Sequence, residues 1–188
     1  MSPHFGTVIV ALIVLVFSVG TGTQSTSFVI TSPDVRAGRR IGSAQVFNGM
    51  GCTGGNVSPA LEWRGAPAGT KSFAITVFDP DAPTGSGWWH WVVFNIPANV
   101  TRLPAGAGDP KRKLLPSGTV QSNTDFGTPG YGGPCPPNGD NPHTYIFTVY
   151  AVDVERLDLP LAATAAYVGF NVHKHTLGKA TLTARYGR

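Results

Sequence analysis

Phe73-Ala74-Ile75-Thr76-Val77-Phe78-Asp79-Pro80-Asp81-Ala82-Pro83, followed across a Gly/Ser loop by Trp88-Trp89-His90-Trp91-Val92-Val93-Phe94, is the stretch on which the reading of this chain turns. A strand-like apolar run halts at an Asp-Pro-Asp-Ala-Pro corner and then resumes. Two apolar strands therefore hold a charged, wet corner between them. Asp79 and Asp81 are two residues apart, so both carboxylates face one side if strand geometry persists through Pro80, whose ring removes one backbone donor. A hairpin-like return brings His90 towards them. Three of the four tryptophans lie between Trp88 and Trp91, an aromatic wall that desolvates any polar group it encloses. The plain alternative is a core hairpin with a solvated turn. Two carboxylates and a histidine bounded by tryptophans favour a binding site instead.

The chain has 188 residues, one domain's worth with room for a sizeable core. Its 24 glycines and 16 prolines against 13% charged residues argue against long helices and for many turns, hence a mainly β architecture. The net charge of +4 is concentrated at Arg36, Arg39 and Arg40 and at Lys111-Arg112-Lys113. These short clusters lack the extent of a nucleic-acid face, and the aromatics sit elsewhere, so no nucleic-acid partner is expected.

Residues 8–17 form an unbroken apolar run with Ser18, Gly20 and Gly22 behind it. That pattern predicts a signal peptide over residues 1–22, cut at Gly20-Thr21 or Gly22-Thr23, ahead of a domain over residues 23–188. The n-region Met1-Ser2-Pro3-His4 carries no Lys or Arg, and an uncleaved membrane anchor is the alternative. Either way the expected location is exported, periplasmic or extracellular, or anchored at the membrane. Cys52 and Cys135 both sit in glycine- or proline-rich loops, where core packing is not their purpose. In an exported chain two such cysteines pair as a disulfide; without export they read as free thiols.

Further along, Tyr145-Ile146-Phe147-Thr148-Val149-Tyr150-Ala151-Val152 reads as the strongest central strand, and Leu161, Ala165, Val168 and Val172 fall at helical spacing in a short helix over 161–172, interrupted or ended near Gly169. A long irregular region, rich in Gly and Pro, precedes His143, and such a region inside a compact domain lines a site. His143 and Tyr145, two apart, share one face where that region enters the strand. If this strand neighbours the Trp-rich one, the site gathers Asp79, Asp81, His90, His143 and Tyr145. Imidazoles held charged by carboxylates, a phenol and backbone N–H groups make an anion pocket for a phosphate monoester or diester, a sugar carboxylate being the alternative, with no Arg or Lys adjoining in sequence. The competing reading is a hydrolase or metal enzyme using the same residues. No compact metal signature and no Gly-x-Ser-x-Gly elbow supports it, and no cofactor motif is present.

Several motifs in the same order resemble the phosphatidylethanolamine-binding protein family, specifically its bacterial and archaeal branch, often described as Raf-kinase-inhibitor-like. Asp79-Pro80-Asp81-Ala82-Pro83 with Trp89-His90-Trp91 is similar to the family's first signature, and Gly133-Pro134 through Pro137 to His143-Thr144-Tyr145 to its second. Cys52 through Asn56-Val57-Ser58-Pro59 and Trp63 resembles the early loop of the prokaryotic branch. The resemblance implies a large antiparallel sheet packed on a smaller one in Greek-key fashion with few helices. It also implies a small anion site of Asp79, His90, Pro137, His143 and Tyr145 supported by Asp81, and phospholipid headgroups or phosphate-like anions as ligands. Some eukaryotic members inhibit kinases through surfaces outside the pocket; the resemblance leaves a regulatory or kinase-inhibitor-like role open without implying it, and an unidentified protein partner stays open as well.

Overall fold

The computed structural model describes residues 1–3 and 27–188. The apolar run at 8–17 and both expected cleavage points lie outside the described residues. Among the described residues no helix is long and apolar enough to cross a membrane.

In chain order the elements are β1 (Val29–Thr31), β2 (Asn48–Gly49), β3 (Cys52–Thr53), β4 (Leu61–Arg64), β5 (Ser72–Asp79), β6 (Trp88–Pro97), β7 (Arg102–Leu103), β8 (Val120–Gln121), β9 (His143–Val152), α1 (Ala165–Lys174) and β10 (Thr176–Tyr186). An antiparallel five-stranded sheet runs β10-β9-β5-β6-β8, a three-stranded sheet runs β1-β4-β7, and β2 pairs with β3. The protein is mainly β, as the glycine and proline content requires.

β5 holds the middle of the large sheet because it is covered on both faces, which an uninterrupted apolar sequence permits and an alternating one does not. Phe73, Ile75 and Val77 join Ile30, Leu61 and Trp63 between the two larger sheets. Ala74 joins Val92, Phe94, Val168 and Val172 beneath α1 on the opposite face. Each fully buried aliphatic side chain of this kind contributes about 1.5–3 kcal/mol. β9 lies between β10 and β5, so it does not neighbour the Trp-rich β6 directly, contrary to the condition set from sequence.

The helix also departs from its sequence expectation. It begins at Ala165, with the Thr164 hydroxyl accepting from the Tyr167 N–H at 3.2 Å, and runs through Gly169 to Lys174. Ser/Thr capping fixes the start. The buried Val168 and Val172 outweigh the cost of about 1 kcal/mol for a glycine inside a helix.

Candidate functional site

Asp79 is the last residue of β5 and continues the inward face of Phe73, Ile75 and Val77, which leaves it only 2% exposed. A buried carboxylate without partners would cost several kcal/mol. Pro80 ends the strand, and the turn that follows aims backbone donors back at it. Asp79 Oδ1 accepts from the N–H groups of Asp81 (2.9 Å) and Ala82 (3.1 Å), and Oδ2 lies 2.8 Å from His143 Nδ1.

His90 reaches the same face through a β-bulge. Val77 pairs with Trp91 but Phe78 pairs with Trp89, so His90 is the extra residue of β6. Bulges re-aim side chains in this way. The bulge replaces strand adjacency as the means of assembly: the His90 and Tyr145 rings meet edge to face at 5.2 Å although β5 lies between their strands. The loop preceding His143 locks the imidazole, since His90 Nδ1 donates to the Gly132 carbonyl at 2.7 Å while Gly132 N–H donates to the His90 carbonyl at 2.9 Å. A carbonyl only accepts, so Nδ1 carries the proton and Nε2 presents a lone pair. Glycine is required at 133, where a Cβ would stand 2.0 Å from the Gln45 carbonyl oxygen.

Burial pushes the His90 pKa down from 6.5 to about 4, against the opposing pull of the Gly132 carbonyl and the Asp79 charge. His90 is therefore a neutral acceptor, which corrects the expectation that carboxylates hold it charged. Tyr145 is 1% exposed and burial, with the Asp79 carboxylate beside it, pushes its phenol pKa upward. Its hydroxyl stands beside the Asp79 carboxylate but makes no hydrogen bond of good geometry among the described residues.

Asp79, His90, Pro137, His143 and Tyr145 line one cavity of about 230 Å³. Asp81 does not. The chain turns after Asp79 instead of continuing as a strand, and Asp81 Oδ2 accepts from the Thr144 N–H at 2.7 Å, a brace between the Asp-Pro-Asp corner and the start of β9. The tryptophans divide as well: Trp88 lines the cavity, Trp89 packs on Phe78 at 4.4 Å, and Trp91 is fully buried in the core.

Sequence reasoning missed Arg188, which lines the cavity and supplies the cation absent from the neighbouring sequence. Its guanidinium donates to the carbonyls of Pro136 (2.7 Å), Gly51 (2.9 Å) and Met50 (3.4 Å). The only pointer lies in the register, because Tyr186 pairs with His143 and carries the following residues to the pocket. The loops that Arg188 gathers also hold Cys52 and Cys135, whose sulfurs are at bonding distance with Cα atoms 6.0 Å apart. Among the described residues no group of three or more His, Cys, Asp or Glu is placed to hold a metal ion, which weighs against the metal-enzyme reading.

The Asp-Pro-Asp corner, the bulged histidine and the Gly/Pro loop form one site, and a family model described as phosphatidylethanolamine-binding protein matches residues 22–187. The chain belongs to this family. Escherichia coli YbhB is 53% identical over 157 residues, covering 84% of this chain and 98% of that protein. Escherichia coli YbcL is 49% identical over 163 residues, covering 87% and 89%. The crystal structure of YbcL, described as a new member of the mammalian phosphatidylethanolamine-binding family, matches with a TM-score of 0.85 over 87% of this chain and 99% of that one. A homologue from Chlamydia trachomatis, 30% identical, matches with a TM-score of 0.71 over 86% and 98%.

Proposed function

We propose that the domain binds a phosphate-bearing small molecule or phospholipid headgroup reversibly and does not turn it over. The observation that carries this reading is the Tyr145 hydroxyl, buried at the cavity wall beside the Asp79 carboxylate with no well-formed hydrogen bond among the described residues. An orphaned buried polar group costs about 1–3 kcal/mol, and native folds keep few of them. A ligand oxygen in the cavity would complete it.

The other groups divide the work by protonation. Arg188 spends three N–H bonds on carbonyls and has two more to offer an anion. His90 Nε2 accepts, which suits the O–H of a protonated phosphate or a hydroxyl or ammonium of a headgroup. Asp79 has its charge spread over three N–H donors, so it repels an incoming anion less than a free carboxylate would. With its pKa raised, the Tyr145 phenol stays protonated and acts as a donor, not a nucleophile. We further propose that residues 1–22 direct export and that the Cys52–Cys135 bond forms in an oxidising compartment, where such bonds persist.

Calorimetry with inorganic phosphate and with glycerophosphoethanolamine tests the reading. Tyr145→Phe should weaken phosphate by about ten-fold, the loss of one hydrogen bond to a charged group. Unchanged affinity in both Tyr145→Phe and Arg188→Ala would overturn it, and so would saturable turnover of a phosphoester.

A further inference from the structure

A second cavity of about 730 Å³ adjoins the anion pocket, and Met50, Trp88 and Phe126 line both. Phe126 is the partition. Its ring packs edge-on against His90 at 5.5 Å on the pocket side and at a tilt of 33° against Phe47, which lines only the larger chamber, at 4.6 Å. Trp88 stands edge-on to the same ring at 5.4 Å. Beyond this aromatic ridge the chamber wall includes Asp109, Lys111 and Asp125. Lys111 forms no ion pair among the described residues. Asp109 and Asp125 each use one carboxylate oxygen on a backbone N–H, of Lys111 at 2.9 Å and of Trp89 at 2.7 Å, and the other makes no hydrogen bond among the described residues.

Resting on the anion-pocket reading, we propose that the two cavities form one composite site for a phosphodiester: the small pocket takes the phosphate and the chamber takes a hydroxyl-bearing second arm, glycerol or a sugar. Aromatic ring faces and edges suit the C–H surface of a polyol, while carboxylate oxygens and an ammonium suit its hydroxyls. Acyl chains do not fit this chemistry, because laying hydrocarbon against two carboxylates and an ammonium would strip their water with nothing in exchange. The ligand class is thus the soluble, deacylated diester, not an embedded lipid with its chains inside the protein.

The experiment compares inorganic phosphate, methyl phosphate, glycerophosphoinositol and vesicles of a diacyl phosphatidylinositol by calorimetry on the full domain. Glycerophosphoinositol should bind about ten-fold or more tighter than methyl phosphate, a difference of about 1.4 kcal/mol. Thr128 lines the chamber with an exposed side chain, and its carbonyl, which accepts from the Thr124 N–H, survives substitution. Thr128→Trp, which fills the chamber, and Lys111→Ala should each bring the diester back towards methyl phosphate. Equal affinity for the two ligands in the unaltered protein would overturn the proposal, as would vesicles binding more tightly than the soluble diester. Absence of any phosphate binding would overturn the anion pocket itself and the composite site with it, and it is seen separately in the phosphate isotherm.

Discussion

Arg188 Nε donates to the Pro136 carbonyl at 2.7 Å, which ties the chain just past β10 to the loop that leads into the pocket. Two further bonds from the same guanidinium reach Gly51 and Met50, so one side chain joins both loops that carry the cysteines. A positive charge is thereby fixed at the rim of the cavity by carbonyls instead of by a carboxylate that would neutralise it.

Arg188→Ala should therefore lower phosphate affinity by roughly ten-fold, in the range of one charge-assisted hydrogen bond. Arg188→Lys should recover only part of the loss, because an ammonium on a flexible stem cannot hold three carbonyls and an anion with the planar fork of a guanidinium. Isothermal titration of both variants with phosphate measures this.

Tyr145→Phe should raise stability while it weakens binding. Removing a buried hydroxyl that makes no well-formed hydrogen bond among the described residues relieves its desolvation, worth about 1 kcal/mol in a ligand-free urea titration. A loss of stability in phosphate-free buffer would show that the hydroxyl already has a partner.

Acid should destabilise the fold through His90. The imidazole titrates at about 4 in the folded chain and near 6.5 when unfolded, so between those values the unfolded state binds the extra proton. Its contribution is full above about pH 6.5 and is lost as pH falls, reaching on the order of 3 kcal/mol by pH 4. Denaturation midpoints from pH 7 to 4 should fall more steeply in the unaltered protein than in His90→Gln, which lacks the titrating group. Parallel curves would contradict the assignment.

Reduction should loosen the pocket loops. The Cys52–Cys135 link spans a sequence separation of 83, for which the chain-entropy account gives up to about 4.5 kcal/mol and typical bonds give about 2–4. Cys52→Ser with Cys135→Ser should lose stability in that range. Thiol labelling of the unfolded, unreduced protein from its host should find no free cysteine; two reactive thiols per chain would refute the bond.

Processing has its own readout. Intact mass and N-terminal sequencing of protein from the host should return a chain starting at residue 21 or 23, recovered outside the cytoplasm. A chain that retains residues 1–20 in the soluble cytosolic fraction would end the export proposal.

The sequence alone determined what is local. Unbroken apolar runs specified β5 and β6, proline at 80 specified the corner, and the two-residue spacing of His143 and Tyr145 placed both on one face of β9, since strand periodicity holds wherever a strand forms. Glycine and proline content excluded a helical bundle. Tertiary structure decided whatever depended on register and on long-range contact. The bulge at His90 arises from the mismatch between Val77↔Trp91 and Phe78↔Trp89, and no residue type announces it. The turn after Asp79 removed Asp81 from the cavity because backbone N–H groups found the Asp79 carboxylate. Burial discharged His90, an effect of enclosure by several elements at once. Arg188 reached the pocket from the far end of the sequence only because β10 pairs along the full length of β9, so the cation came from a strand neighbour and not from a chain neighbour.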